Sequence, residues 1–302
     1  MQITLWLRRG FILLMAGLLS GCGSPSAGTM KTSRQEPVRL RLMSYNIRIG
    51  AGGGDLRNSP QQITLEAVAQ LMAAESCDLI GLQEVDRFRQ RTSLADQAAW
   101  LANRLNLQGA FQPAFTIRET PGTNGDYGVA LLSRFPIRYS ERFLLFKPDY
   151  RQSHPKYPDY YSEQRILMHA EVTIAGNPVH LFVTHLGLTP DQREQQIDQI
   201  IAVMDRIEGP KILMGDFNAE PEEPAMVRLS EKYTDVLTAA GVPHEDRKSY
   251  PAGTAPRVAI DYIYVTEEFK VRSARVIRDA SLASDHNPVI GEVEFWPRLS
   301  KK

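Results

Sequence analysis

Cysteine is nearly absent from this chain: two occur in 302 residues, Cys22 and Cys77. A disulfide framework is therefore not what holds it together, and stability has to come from a packed core. The hydrophobic fraction of 43% suits such a core. A basic surplus is missing too, since 35 Lys plus Arg face 35 Asp plus Glu. Proteins that track a nucleic-acid backbone usually carry one, so the composition gives no sign of that mode of binding. No Gly-x-Ser-x-Gly elbow, no His-Glu-x-x-His helix and no Gly-Lys-Ser/Thr P-loop occurs. A serine hydrolase of that type, a zincin and a P-loop nucleotide site are disfavoured accordingly.

What is there begins with a targeting pattern. Arg8 and Arg9 precede the apolar run FILLMAGLL, followed by Ser20, Gly21 and Cys22. Nine or ten apolar residues are too few to cross a bilayer, which takes about 20. A basic start, a short apolar stretch and small residues make a secretory signal. Its end, LSGC, resembles the lipobox of bacterial lipoproteins, which implies cleavage before Cys22 and a lipid on its sulfur. Residues 1–21 are thus expected to be a signal peptide and 22–37 a flexible tether, GSPSAGTMKTSRQEP being small and polar. Removing Arg8 and Arg9 leaves 33 basic groups against 35 acidic, a net charge of −2. Cys77 then has no partner in the chain and reads as a small buried hydrophobe.

From residue 38 to 297 strands and helices alternate, which predicts one domain. Apolar runs predict strands at 40–47, 79–82, 129–132, 166–174, 179–183, 260–265 and 289–295, with another at Ile212, Leu213 and Met214. Helices are expected at 94–106, with Leu94, Ala98, Leu101 and Leu105 on one face, and after Ser59-Pro60 and Thr189-Pro190. Gln62 and Gln192 occupy capping-box positions. The link between 174 and 179 is too short for a helical crossover, so that pair should be a hairpin and the sheets mixed.

Polar residues stand where the apolar runs stop. SYNI carries Asn46, LQEVD carries Glu84, THL carries His185, and GDFN carries Asp216 and Asn218. AIDYI carries Asp261, and SDHNPV carries Asp285 and His286. Each alone has a bland reading as a cap, a solvated acid or a satisfied core histidine. Together they are oxygen and imidazole groups at strand ends, where open α/β sheets bind ligands. Carboxylate and amide oxygens without cysteine suit a hard cation such as Mg²⁺ or Mn²⁺. Histidines beside acids can protonate a leaving oxygen or face a phosphate as imidazolium.

The order SYNI, LQEVD, GVALLSRFPI, EQR, THL, GDFN, IDYI and SDHNPV resembles the endonuclease/exonuclease/phosphatase superfamily. The likeness runs from about residue 40 to 295. It implies an α/β (α+β) four-layer sandwich of two mixed β-sheets flanked by helices. It also implies Mg²⁺-dependent hydrolysis of a phosphate ester, with Glu84 the metal ligand and Asn46 beside it. His185 then matches the histidine that contacts phosphate, and Asp261 the acid that orients it. Asp216 and Asn218 match the pair that positions the attacking water, and His286, supported by Asp285, the second histidine. Arg165 of EQR stands where the family often places a phosphate-contacting arginine, and Tyr127 where it often has asparagine or glycine. The general base is left between Asp216 and His286.

The expected enzyme is a membrane-tethered phosphodiesterase or phosphatase, monomeric, acting on a phospholipid or another small phosphorylated headgroup. An extracytoplasmic nuclease and a catalytically silent binding module are the alternatives. The tyrosine-rich stretch 149–163 is either a rim loop touching the substrate or a surface loop packed on the body.

Overall fold

Val38–Asn46 (β1) buries both its faces. Leu40 and Leu42 point to one side and Met43 and Tyr45 to the other, as the two-residue period of a strand dictates. A strand apolar on both sides has to be sandwiched, and β1 lies centrally in a six-stranded sheet. The strands of that sheet are β1, Leu79–Arg87 (β2), Gln108–Thr120 (β3), Thr123–Ser133 (β4), Phe269–Val276 (β11) and Val289–Phe295 (β12), in the order β11-β12-β1-β2-β4-β3. The second sheet holds Ile137–Leu144 (β5), Ile166–Ile174 (β6), Asn177–His185 (β7), Lys211–Asp216 (β8), Thr234–Asp235 (β9) and Asp261–Val265 (β10), in the order β5-β6-β7-β8-β10-β9. Pairs β1–β2 and β7–β8 are parallel and the rest antiparallel, so both sheets are mixed.

These details come from a computed structural model, which describes residues 36–53, 65–148 and 163–297. The signal and tether expectations, Cys22, the Ser59–Gln62 cap and nearly all of the tyrosine-rich stretch lie outside the described residues. Among the described residues no helix is long and apolar enough to cross a membrane.

The sheets face each other across a dry core that includes Leu42, Leu131, Met168, Val183, Met214 and Ile263. Leu65–Glu75 (α1) and Gln97–Leu105 (α2) cover the outer face of the first sheet through Val68, Met72, Ala98 and Leu101. Pro190–Asp205 (α3) and Pro224–Lys232 (α4) cover the second through Ile197, Ile200, Met226 and Leu229. The four layers expected from the sequence are therefore present. Cys77 is buried among them as a free thiol.

The β6–β7 connection is a two-residue turn, Ala175-Gly176, with both φ values positive, the conformation that matches the twist of a hairpin. Other boundaries shift. Helix α2 starts only after Asp96, whose Oδ1 accepts from the Ala99 N–H at 3.0 Å, so Leu94 precedes the helix and is exposed. Gln192 does not close a capping box. Its side chain is buried without a hydrogen-bond partner, against Gly187.

One glycine sets how closely the sheets approach. A Cβ on Gly81 of β2 would sit 2.8 Å from Met214 Cβ of β8, a contact that forces backbone movement. Overpacking of that kind costs about 1–3 kcal/mol. Gly81→Ala should lower the unfolding free energy by that amount in urea titrations, whereas an unchanged midpoint would mean that the sheets are not pressed together there.

Candidate active site

Strand register assembles the first half of the site. His185, the last residue of β7, pairs with Asp216 at the end of β8. Asp261, the first residue of β10, faces Asp216 from the other side. Three polar side chains from distant parts of the chain thus lie in one row across three neighbouring strands. His185 Nε2 is 3.5 Å from Asp216 Oδ2. Asn218, in left-handed backbone at φ 49°, donates its N–H to Asp216 Oδ1 at 2.9 Å. Its side-chain amide turns instead to the Leu186 carbonyl, at 3.1 Å. β8 ends at Asp216, so the two-residue strand period no longer applies at Asn218, and the two side chains expected to position a water together part.

The opposite sheet supplies Asn46 and Glu84. The β2–β4 register shifts between Leu82 and Val85, where Gln83 and Glu84 together oppose only Val129. Glu84 sits in this bulge with φ 55°, conformational strain of about 1–3 kcal/mol of the kind found at functional sites. Asn46 Nδ2 donates to Glu84 Oε1 at 3.1 Å and to Asp216 Oδ2 at 3.0 Å. Its Oδ1 accepts from the Arg48 N–H at 3.0 Å. One amide therefore fastens a carboxylate of each sheet to the other.

The acid partners of the histidines differ from expectation. Asp261 orients His286, not His185: its Oδ2 lies 2.8 Å from His286 Nδ1. Asp285 does not support the His286 ring but pairs with Arg48 Nε at 3.1 Å. Adjacent residues project in different directions, so one of the two had to turn away. His286 Nε2 is left facing Asp216 Oδ2 at 3.7 Å, and Tyr250 packs against the ring at 4.9 Å. Supporting residues went unread in the sequence. Ser249 Oγ donates to Asp261 Oδ2 at 2.6 Å, and Ser284 Oγ donates to the Asn46 carbonyl at 2.6 Å. Ser284 stands inside the SDHNPV motif and was findable there. Ser249 and Arg48 carry no periodic or motif signal.

The two imidazoles are pushed apart electrically. Burial lowers the His286 pKa, but Asp261 and Asp216 outweigh it and raise it to about 10. Burial, Arg165 and His286 hold His185 well below its ordinary value. Burial and Asp261 raise the Asp216 pKa, against the pull of His286, and burial also raises Asp285. The environment thus favours a charged His286 and a neutral His185, each within 4 Å of Asp216 Oδ2.

Arg165 precedes β6, is only 5% exposed and pairs with Glu163 at 3.3 Å. With His185 and Tyr127 it lines a small void behind the row. Tyr127 also lines a larger cavity of about 330 Å³, into which Glu84 and Asp285 open from the site.

The donor set fits a divalent cation. Glu84 faces the cavity with a carboxylate held by the Asn46 amide N–H, one oxygen-donor group of the kind that serves a hard ion which keeps its waters. Asp216, Asp261 and His286 form a second group whose ligand atoms lie within 4.8 Å of one another. That group already spends His286 Nδ1 on Asp261. Asn46 presents its NH₂ to both carboxylates, so it acts on an ion by holding Glu84 in place.

Two mixed sheets meeting at a cleft of carboxylates, an amide and two histidines define a phosphoesterase-type sandwich. The comparisons agree: the model of the Endonuclease/Exonuclease/phosphatase family matches residues 43–286, and the chain belongs to that family. Its curated relative nocturnin from Xenopus laevis is 23% identical over 78% of this chain, which spans 64% of nocturnin's length. A conserved protein of unknown function from Enterococcus faecalis superposes with a TM-score of 0.65 at 23% identity, over 84% of this chain and 99% of its own. A mannosyl-6-phosphatase from Bacteroides thetaiotaomicron superposes with a TM-score of 0.63 at 18% identity, over 84% and 99%. At these identities the likeness to the solved structures is one of fold.

The raised His286 pKa carries a stability signature. Its folded value, about 10, exceeds the roughly 6.5 of an unfolded chain. The contribution is complete below about pH 6.5 and is lost as pH rises through about 10. Metal-free protein should therefore lose stability between pH 7 and 10, by at most about 1.4 kcal/mol per pH unit from this group. His286→Ala should flatten the slope in urea titrations across that range, and an identical slope in the variant would refute the charged state.

Proposed function

We propose that the protein is a metal-dependent phosphoric ester hydrolase, using Mg²⁺ with Mn²⁺ as a substitute. The observation that carries the proposal is Asn46 fastening Glu84 and Asp216 beside both histidines. Glu84 would hold the ion, which would supply positive charge to a phosphate oxygen and offset the charge that grows in the transition state. Asp216, kept basic and fixed by Asn46 and the Asn218 N–H, takes the proton of the attacking water. Of the two candidates for this role, His286 is already protonated, which leaves Asp216. His286, held cationic by Asp261, faces the anionic phosphate and gives its Nε2 proton to the leaving oxygen. His185, neutral, donates a hydrogen bond from Nε2 without adding charge. Histidines of opposite state flanking one acid are the pattern expected when environment divides acid from base roles.

For the substrate, the balanced charge and the lipobox-like LSGC favour a small phosphorylated headgroup or a phospholipid handled near a membrane. The phosphatase named among the solved relatives acts, by its name, on a phosphorylated sugar. An extracytoplasmic nuclease is the second reading, and the family's own description supports it.

His286→Ala and Asp216→Ala should each reduce Mg²⁺-dependent turnover by at least about 10³-fold, as losses of acid or base groups do, while circular dichroism stays native. Glu84→Gln should raise the Mg²⁺ concentration needed for half-maximal rate. Normal turnover in either histidine or aspartate variant would break the assignment. The panel that identifies the reaction holds mono- and bis-nitrophenyl phosphate, plasmid DNA, phosphatidylinositol, sphingomyelin and inositol phosphates, each with Mg²⁺ or EDTA. Faster cleavage of plasmid DNA than of every small ester would favour the nuclease reading. Cys22→Ser should abolish palmitate labelling in cells, and retained labelling would rule out the anchor.

A further inference from the structure

Apart from Glu84, the residues that line the cavity of about 330 Å³ have no part in the chemistry above. The far wall is built from Arg89, Arg91, Phe115, Ile117 and Tyr127. Arg91 is the notable member. Its Nε and Nη2 each donate to a carboxylate oxygen of Asp86 at 2.8 Å. Asp86 is fully buried, yet 43% of the Arg91 side chain remains exposed. The Arg91 guanidinium carbon lies 5.5 Å from the centre of the Tyr127 ring. Tyr127 and Phe115 pack at 5.1 Å with their planes 32° apart.

A free surface arginine loses about 2 kcal/mol of rotamer entropy when it grips a ligand. Here the inner edge of the fork is already fixed by a carboxylate that cannot move, so the outer edge is preorganised toward the cavity. The arginines of the walls are already paired with protein carboxylates, Arg48 with Asp285, Arg89 with Glu119 and Arg91 with Asp86. Guanidinium groups already spent on carboxylates offer a second phosphate little attraction. Such a wall suits neutral hydroxyls, which take hydrogen bonds from guanidinium and give them to carboxylate. Aromatic faces suit the apolar C–H side of a ring. The volume is at the small end for ligand pockets, too small for a strand of duplex.

We infer that this cavity receives the alcohol half of the ester, a compact polyhydroxylated ring such as a sugar or cyclitol, and that Arg91 is the residue that selects it. The inference rests on the phosphoesterase reading and narrows its substrate class. The ring can come from a free phosphate or from a lipid headgroup.

The test compares kcat/KM, with Mg²⁺, for glucose 6-phosphate, mannose 6-phosphate, myo-inositol 1-phosphate and vesicles of phosphatidylinositol 4-phosphate, each against ethyl phosphate. Wild-type protein should favour at least one ring ester by about tenfold or more, as a site built to pair substrate hydroxyls does. A soluble winner identifies the free ester, and the vesicles identify the lipid. Arg91→Gln should bring that ratio to within about twofold, chiefly through KM. Because it strips Asp86 of its bidentate partner and leaves it only Thr92 and Arg89, Phe115→Ala is the second variant, and it should lower the ratio in the same way. Arg228→Gln, at an exposed ion pair on α4, should keep the wild-type ratio. Turnover without ring preference, or a ratio that survives both cavity variants, overturns this inference and leaves the phosphoesterase reading standing. Absence of hydrolysis of every ester overturns both.

Discussion

A single side-chain amide joins the two halves of this site. Asn46 ends β1, and its two N–H bonds reach Glu84 in its own sheet and Asp216 in the other. Without it, two carboxylates would face each other across a cleft with nothing to set their distance. With it, the register of each sheet is converted into a fixed relation between the sheets. Ser284, which holds the Asn46 carbonyl, and the Arg48 N–H, which holds its Oδ1, keep the amide from turning. His286 reaches the same aspartate and is held by Asp261. The site is thus one connected network of hydrogen bonds and close charge contacts, anchored in the ends of β1, β8 and β10 and in the β2 bulge, and a connected buried network couples its members more strongly than separate pairs would.

Much of the fold was legible in the sequence; helix α4 went unread, and the strands that went unread share one physical cause. The interior strands β1, β2, β4, β6, β7, β8, β10 and β12 all contain the apolar runs read beforehand. The four strands that went unread, β3, β5, β9 and β11, are the four sheet edges. Edge strands such as β3, with Pro113 and exposed Gln108, and β5, with Arg138 and Glu141, bury only part of one face. A half-wet strand shows no continuous apolar run, and a proline is tolerated there. Glu84 lies past the apolar run that marks β2, and the bulge that aims it leaves no compositional trace.

The site was legible as a set of residues but not as a set of bonds. Asn46, Glu84, His185, Asp216, Asp261 and His286 do gather, because each stands where an apolar run stops and neighbouring strands stop together. Which acid serves which histidine depends on register and on the turn after β8. Sequence spacing does not carry that information. The resemblance implies that Asp285 supports His286, but adjacency sends the two side chains apart and Asp285 pairs with Arg48. Asp261 was placed on His185, although it opposes Asp216 and reaches His286 instead.

The central claim is that Glu84 marks the position of the catalytic ion. The most direct measurement is anomalous diffraction from crystals of the protein soaked in Mn²⁺. One strong peak is expected about 2.1 Å from a Glu84 carboxylate oxygen, with Asn46 still bridging to Asp216. A strong peak only among Asp216, Asp261 and His286, or only beside Glu220, Glu222 and His244, would contradict it.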